Sequence, residues 1–229
     1  MVLACKIFNI KEKMELDTLA VKLKDHEVKQ SFKMEDKDLE LISSVKDLNL
    51  KPNFLYGVFS YDKVVMFNFR GKVNPMVRTY EIPFYFYLYG DSLYLIVVEK
   101  KERANLVANE LSKILFITSG KIVEARIEPE VLRKYHEENF EDSKVIFFDD
   151  VDIPSIDKLS LYGSELSKTR LYEDYLTHGK IWYVVVRSKK YNYVVGITRN
   201  CIVTMFSKVT IDEARDYIID EIFPLIKKE

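Results

Sequence analysis

Glycine is scarce in this sequence, with seven in 229 residues, and no two or three of them form a run. Loops that cradle nucleotide phosphates need glycine where backbone amides approach the anion, so an ATP or dinucleotide site of that kind is excluded and no cofactor is expected. Cysteine is scarcer still. Cys5 and Cys201 lie near opposite ends, no Cys-x-x-Cys pair occurs, and only His26, His136 and His178 could join them as ligands. That set makes no zinc constellation, and both thiols are expected to pack as small apolar side chains. No Gly-x-Ser-x-Gly elbow is present and the histidines show no triad spacing, so nucleophilic catalysis lacks support. Long apolar runs are missing too: the longest, from Ile82 to Val98, is broken by Gly90 and Asp91 and alternates in character. It does not read as a spanning helix. Cys5 follows Met1 too closely for a charged region plus an apolar core, so the expectation is a cytoplasmic chain without a secretory signal or membrane contact. One-sided charge is also lacking, because 35 basic residues face 36 acidic ones. An overall field of the nucleic-acid-binding type is thereby excluded.

What is present is the material of a globular protein. An apolar fraction of 48% beside 31% charged residues supplies enough nonpolar surface to offset chain entropy, and the length suits two domains. Many Lys, Glu, Ile and Tyr with a single Gln30 give a thermophile-like composition, against which ten Asn residues count.

Periodicity predicts an α+β protein. After a brief strand, Leu16, Leu19 and Leu23 recur at helical spacing, and Leu39, Ile42 and Val45 repeat it, which predicts two short helices. After Pro52 aromatic and β-branched runs predict an antiparallel meander: Phe54 to Ser60, Lys63 to Arg70, Arg78 to Tyr89 and Ser92 to Val98. Tyr61-Asp62 is expected to be a tight turn and Gly90-Asp91 a two-residue hairpin loop. Leu106, Val107, Leu111 and Leu115 then mark a helix over Glu102 to Leu115.

A second pass begins near Gly120. Lys121 to Ile127 alternates as a strand, and Pro129 opens a helix with Leu132, Tyr135 and Phe140 as its buried stripe. Lys144 to Phe148 is a strand, and Asp149 to Tyr162 is read mostly as connection. A helix is expected from Ser164 to its stop at Gly179, followed by strands Ile181 to Arg187, Tyr191 to Thr198 and Cys201 to Ser207. Thr210 with Glu213 reads as a capping box opening a last helix that ends by Pro224. The halves share an ending of strand, turn, strand and helix, although their identity is poor. The expectation is two consecutive antiparallel-sheet-plus-helix units, residues 1–118 and 119–229, in the pattern of a divergent tandem repeat.

Charge distribution carries the functional signal. Residues 51–120 hold nine basic and six acidic side chains, and residues 121–180 nine and fourteen. From Ile181 to Ser207 there is no acid, while Arg187, Lys189, Lys190 and Arg199 interleave with Trp182, Tyr183, Tyr191 and Tyr193. Cations that neutralise phosphates beside rings on which bases stack are the ingredients of a nucleic-acid-binding sheet. Arg70, Lys72 and Arg78, near Tyr80, Tyr85 and Tyr87, form a similar set in the first half. Strand alternation places Tyr183 and Arg187 together on an outer face and turns Trp182 inward. The same aromatics serve equally well as core packing for a sheet.

Asp149, Asp150, Asp152 and Asp157 follow a strand, and Glu124 lies on another. Carboxylates so placed suit a magnesium ion, so Asp149, Asp150, Asp152 and Glu124 form a candidate metal set for phosphoryl transfer or nuclease chemistry. Glu99-Lys100-Lys101 imitates a nuclease strand, but Asp91, eight residues earlier, would stand roughly 26 Å away on an extended chain. The sequence thus favours a non-enzymatic binding protein for nucleic acid or a nucleic-acid-processing partner. A protein-interaction module anchored by Tyr85 and Tyr87, or a homodimer, is the alternative, and a metal-dependent enzyme the third reading.

Overall fold

The computed structural model describes residues 2–34, 37–118, 120–139 and 144–227. In chain order the elements are β1 (Leu3–Ile10), α1 (Leu16–Leu23), β2 (Glu27–Met34), β3 (Lys37–Leu50), β4 (Phe54–Phe69), β5 (Lys72–Tyr89), β6 (Ser92–Val97) and α2 (Lys101–Phe116). Then follow β7 (Ile122–Glu124), α3 (Pro129–Glu138), β8 (Val145–Asp149), β9 (Leu159–Tyr162), α4 (Arg170–His178), β10 (Lys180–Arg187), β11 (Val194–Thr198), β12 (Ile202–Met205) and α5 (Ile211–Tyr217). The protein is α+β, with antiparallel pairing throughout the described ladders. Among the described residues no helix is long and apolar enough to cross a membrane.

Two compact units are assembled from separated stretches. One comprises Met1–Asn9, Val98–Glu102 and Val123–Glu229, the other Ile10–Val97 and Arg103–Ile122. In the second of these the strand order is β2-β3-β4-β5-β6. Leu19 and Leu23 of α1 and Val107, Leu111 and Leu115 of α2 are buried together with Leu55, Phe59, Phe84, Phe86 and Leu95 of the strands. Lys22 Nζ donates to the Leu115 carbonyl oxygen at 2.7 Å, tying α1 to the end of α2. Gly90, at φ 58, makes the tight β5–β6 turn that the sequence announces.

Here two expectations are corrected. The segment expected as a second helix is β3, paired on both sides by β2 and β4. Leu39, Leu41, Ser43 and Val45 also have the spacing of one strand face, and two ladders outweigh the helical reading of the same residues. Tyr61 and Asp62 do not turn; they sit inside an unbroken β4. Asp62 Oδ2 accepts from the Ile42 amide at 3.0 Å and Oδ1 from the Thr79 hydroxyl at 2.6 Å, so a residue typical of turns serves as a bracket between strands. The turn lies at Arg70-Gly71, both with positive φ (51 and 76), as a two-residue hairpin of a right-twisted ribbon requires.

In the other unit the order is β1-β12-β11-β10-β8-β9, with β7 also against β1. Three helices line one face. Phe148 touches Tyr172 and Tyr175 of α4, with ring centroids 6.3 and 5.7 Å apart. His136 of α3 lies 5.4 Å from the Tyr172 ring, and Tyr135 shares a 2.7 Å hydroxyl contact with Tyr217 of α5. Under them Ile146, Phe148, Val184, Val186, Val195, Ile197 and Val203 are fully buried. The capping box of Thr210 and Glu213 is present at α5. The α4 helix starts later than expected, at Arg170, because Thr169 caps it by accepting from the Tyr172 amide. Leu159–Tyr162, expected as connection, is β9, and the strand expected over 121–127 is regular only over Ile122–Glu124. The strand expected from Tyr191 begins at Val194. Phe140, expected on the stripe of α3, lies outside the described residues.

Candidate functional site

Residues facing each other across an antiparallel ladder share a face of the sheet. In the unit that contains β8 to β12 the ladders pair Val145 with Tyr162, Phe147 with Ser160, Phe147 with Tyr183, and Arg187 with Val194. All of these belong to the face opposite the helices. Tyr162 is exposed, and Phe147, Tyr183, Arg187, Thr198, Ile202 and Thr204 are half-buried. Three fully buried rows thus lie on one side and an aromatic, partly open surface on the other.

At its centre four rings touch. Phe147 is 5.8 Å from Tyr162, 5.6 Å from Trp182 and 5.4 Å from Tyr183, and Trp182 is 5.8 Å from Tyr183. Lys158 Nζ stands 5.2 Å over the Trp182 ring. Trp182 corrects the expectation that it points into the core. The β10–β8 register shifts between Ile181 and Tyr183, so Trp182 is the extra residue of a bulge and lies beside Tyr183 instead of opposite it. Its Nε1 is buried with no hydrogen-bond partner among the described residues. Burial, with Tyr162 as neighbour, raises the Tyr183 phenol above its ordinary range, so the ring is neutral in any physiological buffer.

Gly196 makes this arrangement fit. A Cβ there would stand 3.0 Å from both Cε2 and Cζ of Tyr183, because the phenol leans across the bare backbone of β11. Gly196→Val is therefore expected to lift the ring and to cost about 1–3 kcal/mol of stability, the usual range for overpacking. Near-ultraviolet circular dichroism and a denaturation curve check both effects; unchanged spectra would refute the contact.

The cations expected at the site divide into groups. Arg187 shares the open face and donates to the Asn192 carbonyl at 3.3 Å. Arg199 sits at the β11–β12 turn and is ion-paired with Asp149, with Asp150 at 4.0 Å. Lys189 is exposed on the β10–β11 loop, its amide held by Asn139 Oδ1 at 3.0 Å. Lys190, Tyr191 and Tyr193 turn toward the helices. Lys190 Nζ and the Tyr191 hydroxyl both reach Asp220 Oδ2, at 2.8 and 2.6 Å, and the Tyr191 and Tyr193 rings pack on Tyr217. Those three residues fasten the hairpin to its own unit. Arg70, Lys72 and Arg78 lie in the other unit, on the exposed end of the β4–β5 hairpin.

The acidic candidates are not gathered. Glu124 pairs with the buried Lys6, Asp149 with Arg199, Asp152 with His178 at 2.8 Å, and Asp150 with Lys180 at 3.7 Å. Among the described residues no group of three His, Cys, Asp or Glu side chains is placed to hold a metal. Burial raises the Asp149 carboxyl above its ordinary value, against the opposing pull of Arg199. A cleft of about 300 Å³ opens between Pro129, Arg133, Asp152, His178 and Lys180. In it His178 is paired with Asp152, Lys180 with Asp150 and Arg133 with Glu137, and Thr177 is the one hydroxyl in its lining.

Sequence reasoning put Tyr183 and Arg187 together on an outer face, as the ladders do, and did not single out Phe147, Tyr162 or Lys158. The signal for Phe147 and Tyr162 was alternation along their strands, which becomes a site only once β9, β8 and β10 are known to be neighbours. No protein-family model matches the chain, and no curated protein matches it.

Proposed function

We propose that the protein is a non-enzymatic, cytoplasmic nucleic-acid-binding protein that stacks the bases of a single strand on Tyr162, Phe147, Trp182 and Tyr183. The observation that carries this reading is the contiguous four-ring cluster on a sheet face opposite the helices, with Tyr162 68% exposed. Lys158 and Arg187 flank the rings and supply phosphate contacts. Base stacking tolerates any sequence because every base has a π face, so modest sequence preference goes with it. The recurring order of strand, turn, strand and helix, in β5–β6–α2 and in β11–β12–α5, fits descent from a duplicated unit.

Fluorescence anisotropy with labelled single-stranded DNA and RNA across a salt series tests the reading. Tyr162→Ala, at an exposed position that leaves the core intact, is expected to weaken binding about tenfold, within the range of about 1–3 kcal/mol per stacked base. Lys158→Ala with Arg187→Ala is expected to flatten the slope of affinity against salt, each lost phosphate contact removing about 0.7 from it. Binding indifferent to salt, or to Tyr162→Ala, would overturn the proposal and favour a protein partner or a second copy of the chain on this face.

A further inference from the structure

From Lys63 to Arg78 the chain has four cations, Lys63, Arg70, Lys72 and Arg78, and no acid. That stretch is the outer end of the β4–β5 hairpin. Pairing of β3 with β4 stops at Ser43 and Tyr61, and β6 pairs only with Phe84 to Tyr89 of β5. Beyond those points β4 and β5 have only each other in the described ladders, over eight paired rungs from Asp62–Thr79 to Phe69–Lys72. At about 3.3 Å per residue this is a two-stranded ribbon roughly 26 Å long.

The rungs sort its side chains. One face carries Lys63 with Arg78, Val65 with Met76, Phe67 with Asn74, and Phe69 with Lys72. The other carries Val64 with Val77, Met66 with Pro75, and Asn68 with Val73. Cations therefore bracket one face at base and tip, with the stacked pair Phe67–Phe69 (centroids 6.3 Å, planes 17° apart) on the same face, and Arg70 sits 5.1 Å over the Phe69 ring. Phe67 and Phe69 are 50% and 54% exposed, Met66 54% and Val73 59%. Single exposed apolar residues are ordinary; a contiguous set at a hairpin tip marks a contact surface.

We propose that this ribbon is an arm that enters a groove of duplex nucleic acid and bends the duplex by wedging Phe67 and Phe69 against the base stack. The inference rests on the reading that the protein binds nucleic acid, and adds a second contact and a second form of ligand. Charge selects the occupant. Two copies of the arm would bring four cations against four, which opposes pairing between copies. A lipid bilayer would strip water from two ribbon edges whose amides and carbonyls have no strand beside them among the described residues, at several kcal/mol for each such group. A duplex offers phosphates to the cations and leaves the edges wet, and its major groove, about 12 Å wide, admits a two-stranded ribbon. Apolar side chains that wedge into a base step kink the helix and enlarge the contact. The neighbouring β2–β3 ribbon lacks this selectivity, since Lys29 is paired with Glu27 and Glu40 at 3.5 and 3.9 Å.

The test uses the full chain and a 30-base-pair DNA carrying a donor and acceptor dye at its ends. Anisotropy reads binding and energy transfer reads bending. Arg70→Ala with Lys72→Ala is expected to lower duplex affinity about tenfold and to reduce its salt slope, while single-strand binding is retained. Phe67→Ser with Phe69→Ser is expected to leave a bound but straighter duplex. These positions lie outside the core, and a variant with Asn-Gly joining Asp62 directly to Thr79 removes the arm entirely as a second check. Single-strand binding without duplex binding would overturn the arm and leave the aromatic face standing. Duplex binding without bending, or bending unchanged in the Phe67/Phe69 variant, would overturn the wedge. Arm-dependent binding to vesicles containing phosphatidylserine, or an arm-dependent dimer in sedimentation, with no effect on duplex, would overturn the assignment of the occupant.

Discussion

Lowering the pH from 7 to 5 is expected to remove about 2 kcal/mol from the stability of the unit that contains α3, α4 and α5, and His136 is the cause. This imidazole is fully buried in α3, against the Tyr172 ring, with Nδ1 3.5 Å from the Tyr172 hydroxyl. Burial pushes its pKa from the ordinary 6.5 down to about 4, and the nearby Glu137 only partly opposes that. Between those two values the unfolded chain takes up a proton that the folded chain refuses. Stability is therefore complete above about pH 6.5 and falls as the pH drops toward 4, by about 3 kcal/mol in all at 1.36 kcal/mol per pH unit. The carboxylates act elsewhere. Glu128, Glu213 and Asp220 are held below their ordinary values by Lys227, by the Thr210 cap and by Lys190 with Tyr191, so their contributions are lost only below the normal carboxylate range. Asp149, raised by burial, works in the opposite direction. Denaturant titrations at pH 7, 6 and 5, followed by fluorescence of Trp182 in the same unit, read the slope. His136→Gln is expected to flatten it even if the variant starts less stable. A slope unchanged by that substitution would show that other groups carry the acid sensitivity.

Local chemistry made some of this architecture legible. Thr210 and Glu213, three residues apart, announce the start of α5, and Gly90-Asp91 announces a hairpin, because each signal is completed by its own neighbours. Val107, Leu111 and Leu115 likewise give α2 by their helical period, although Leu106 stands outside the buried stripe. Leu39, Ile42 and Val45 were ambiguous, since an i, i+3, i+6 pattern also contains an alternating one, and the decision lies with Glu27–Met34 and Tyr61, which reach β3 from elsewhere in the chain. The site failed to emerge for the same reason. Alternation placed Tyr183 and Arg187 on one face, but a single extra residue at Trp182 breaks the period of two. The rings that complete the cluster come from β8 and β9, whose adjacency to β10 is set by the whole sheet. Tyr191 and Tyr193 look identical to Tyr183 in sequence. Only the position of Tyr217 and Asp220 shows that they serve the core side instead.

The two surfaces differ in how they would bind. On the aromatic face Arg199 is engaged by Asp149, so ring contact is expected to dominate and salt to have a moderate effect. Along the ribbon the sixteen residues from Lys63 to Arg78 hold four cations and no acid, so its affinity is expected to be steeply salt-dependent. A salt series run on single-stranded and duplex probes in parallel thus separates the two contacts without any substitution.

Glu124→Gln is expected to cost about 3 kcal/mol, although it deletes no apolar surface. Lys6 is fully buried on β1, where its neighbours in the ladder to β12 are Cys5 opposite Val203 and its own partner Ile202. Its ammonium meets the Glu124 carboxylate and lies 5.1 Å over the Phe8 ring. Taking the carboxylate away removes a counter-charge from a buried ammonium, and the desolvation already suffered by that charge is offset less. The Glu124 side chain is 38% exposed, so water recovers part of the loss and the effect falls at the lower end of the range of about 3–5 kcal/mol for broken buried pairs. Lys6→Met removes the charge itself while keeping an unbranched apolar stem of similar length, and is expected to be near neutral. The double variant then decides between two causes. If Glu124→Gln is harmless in the Lys6→Met background, the ion pair compensates a cost that Lys6 itself creates. If it remains as damaging as before, Glu124 supports β7 through its other contacts and the charge of Lys6 is incidental to the stability of the sheet.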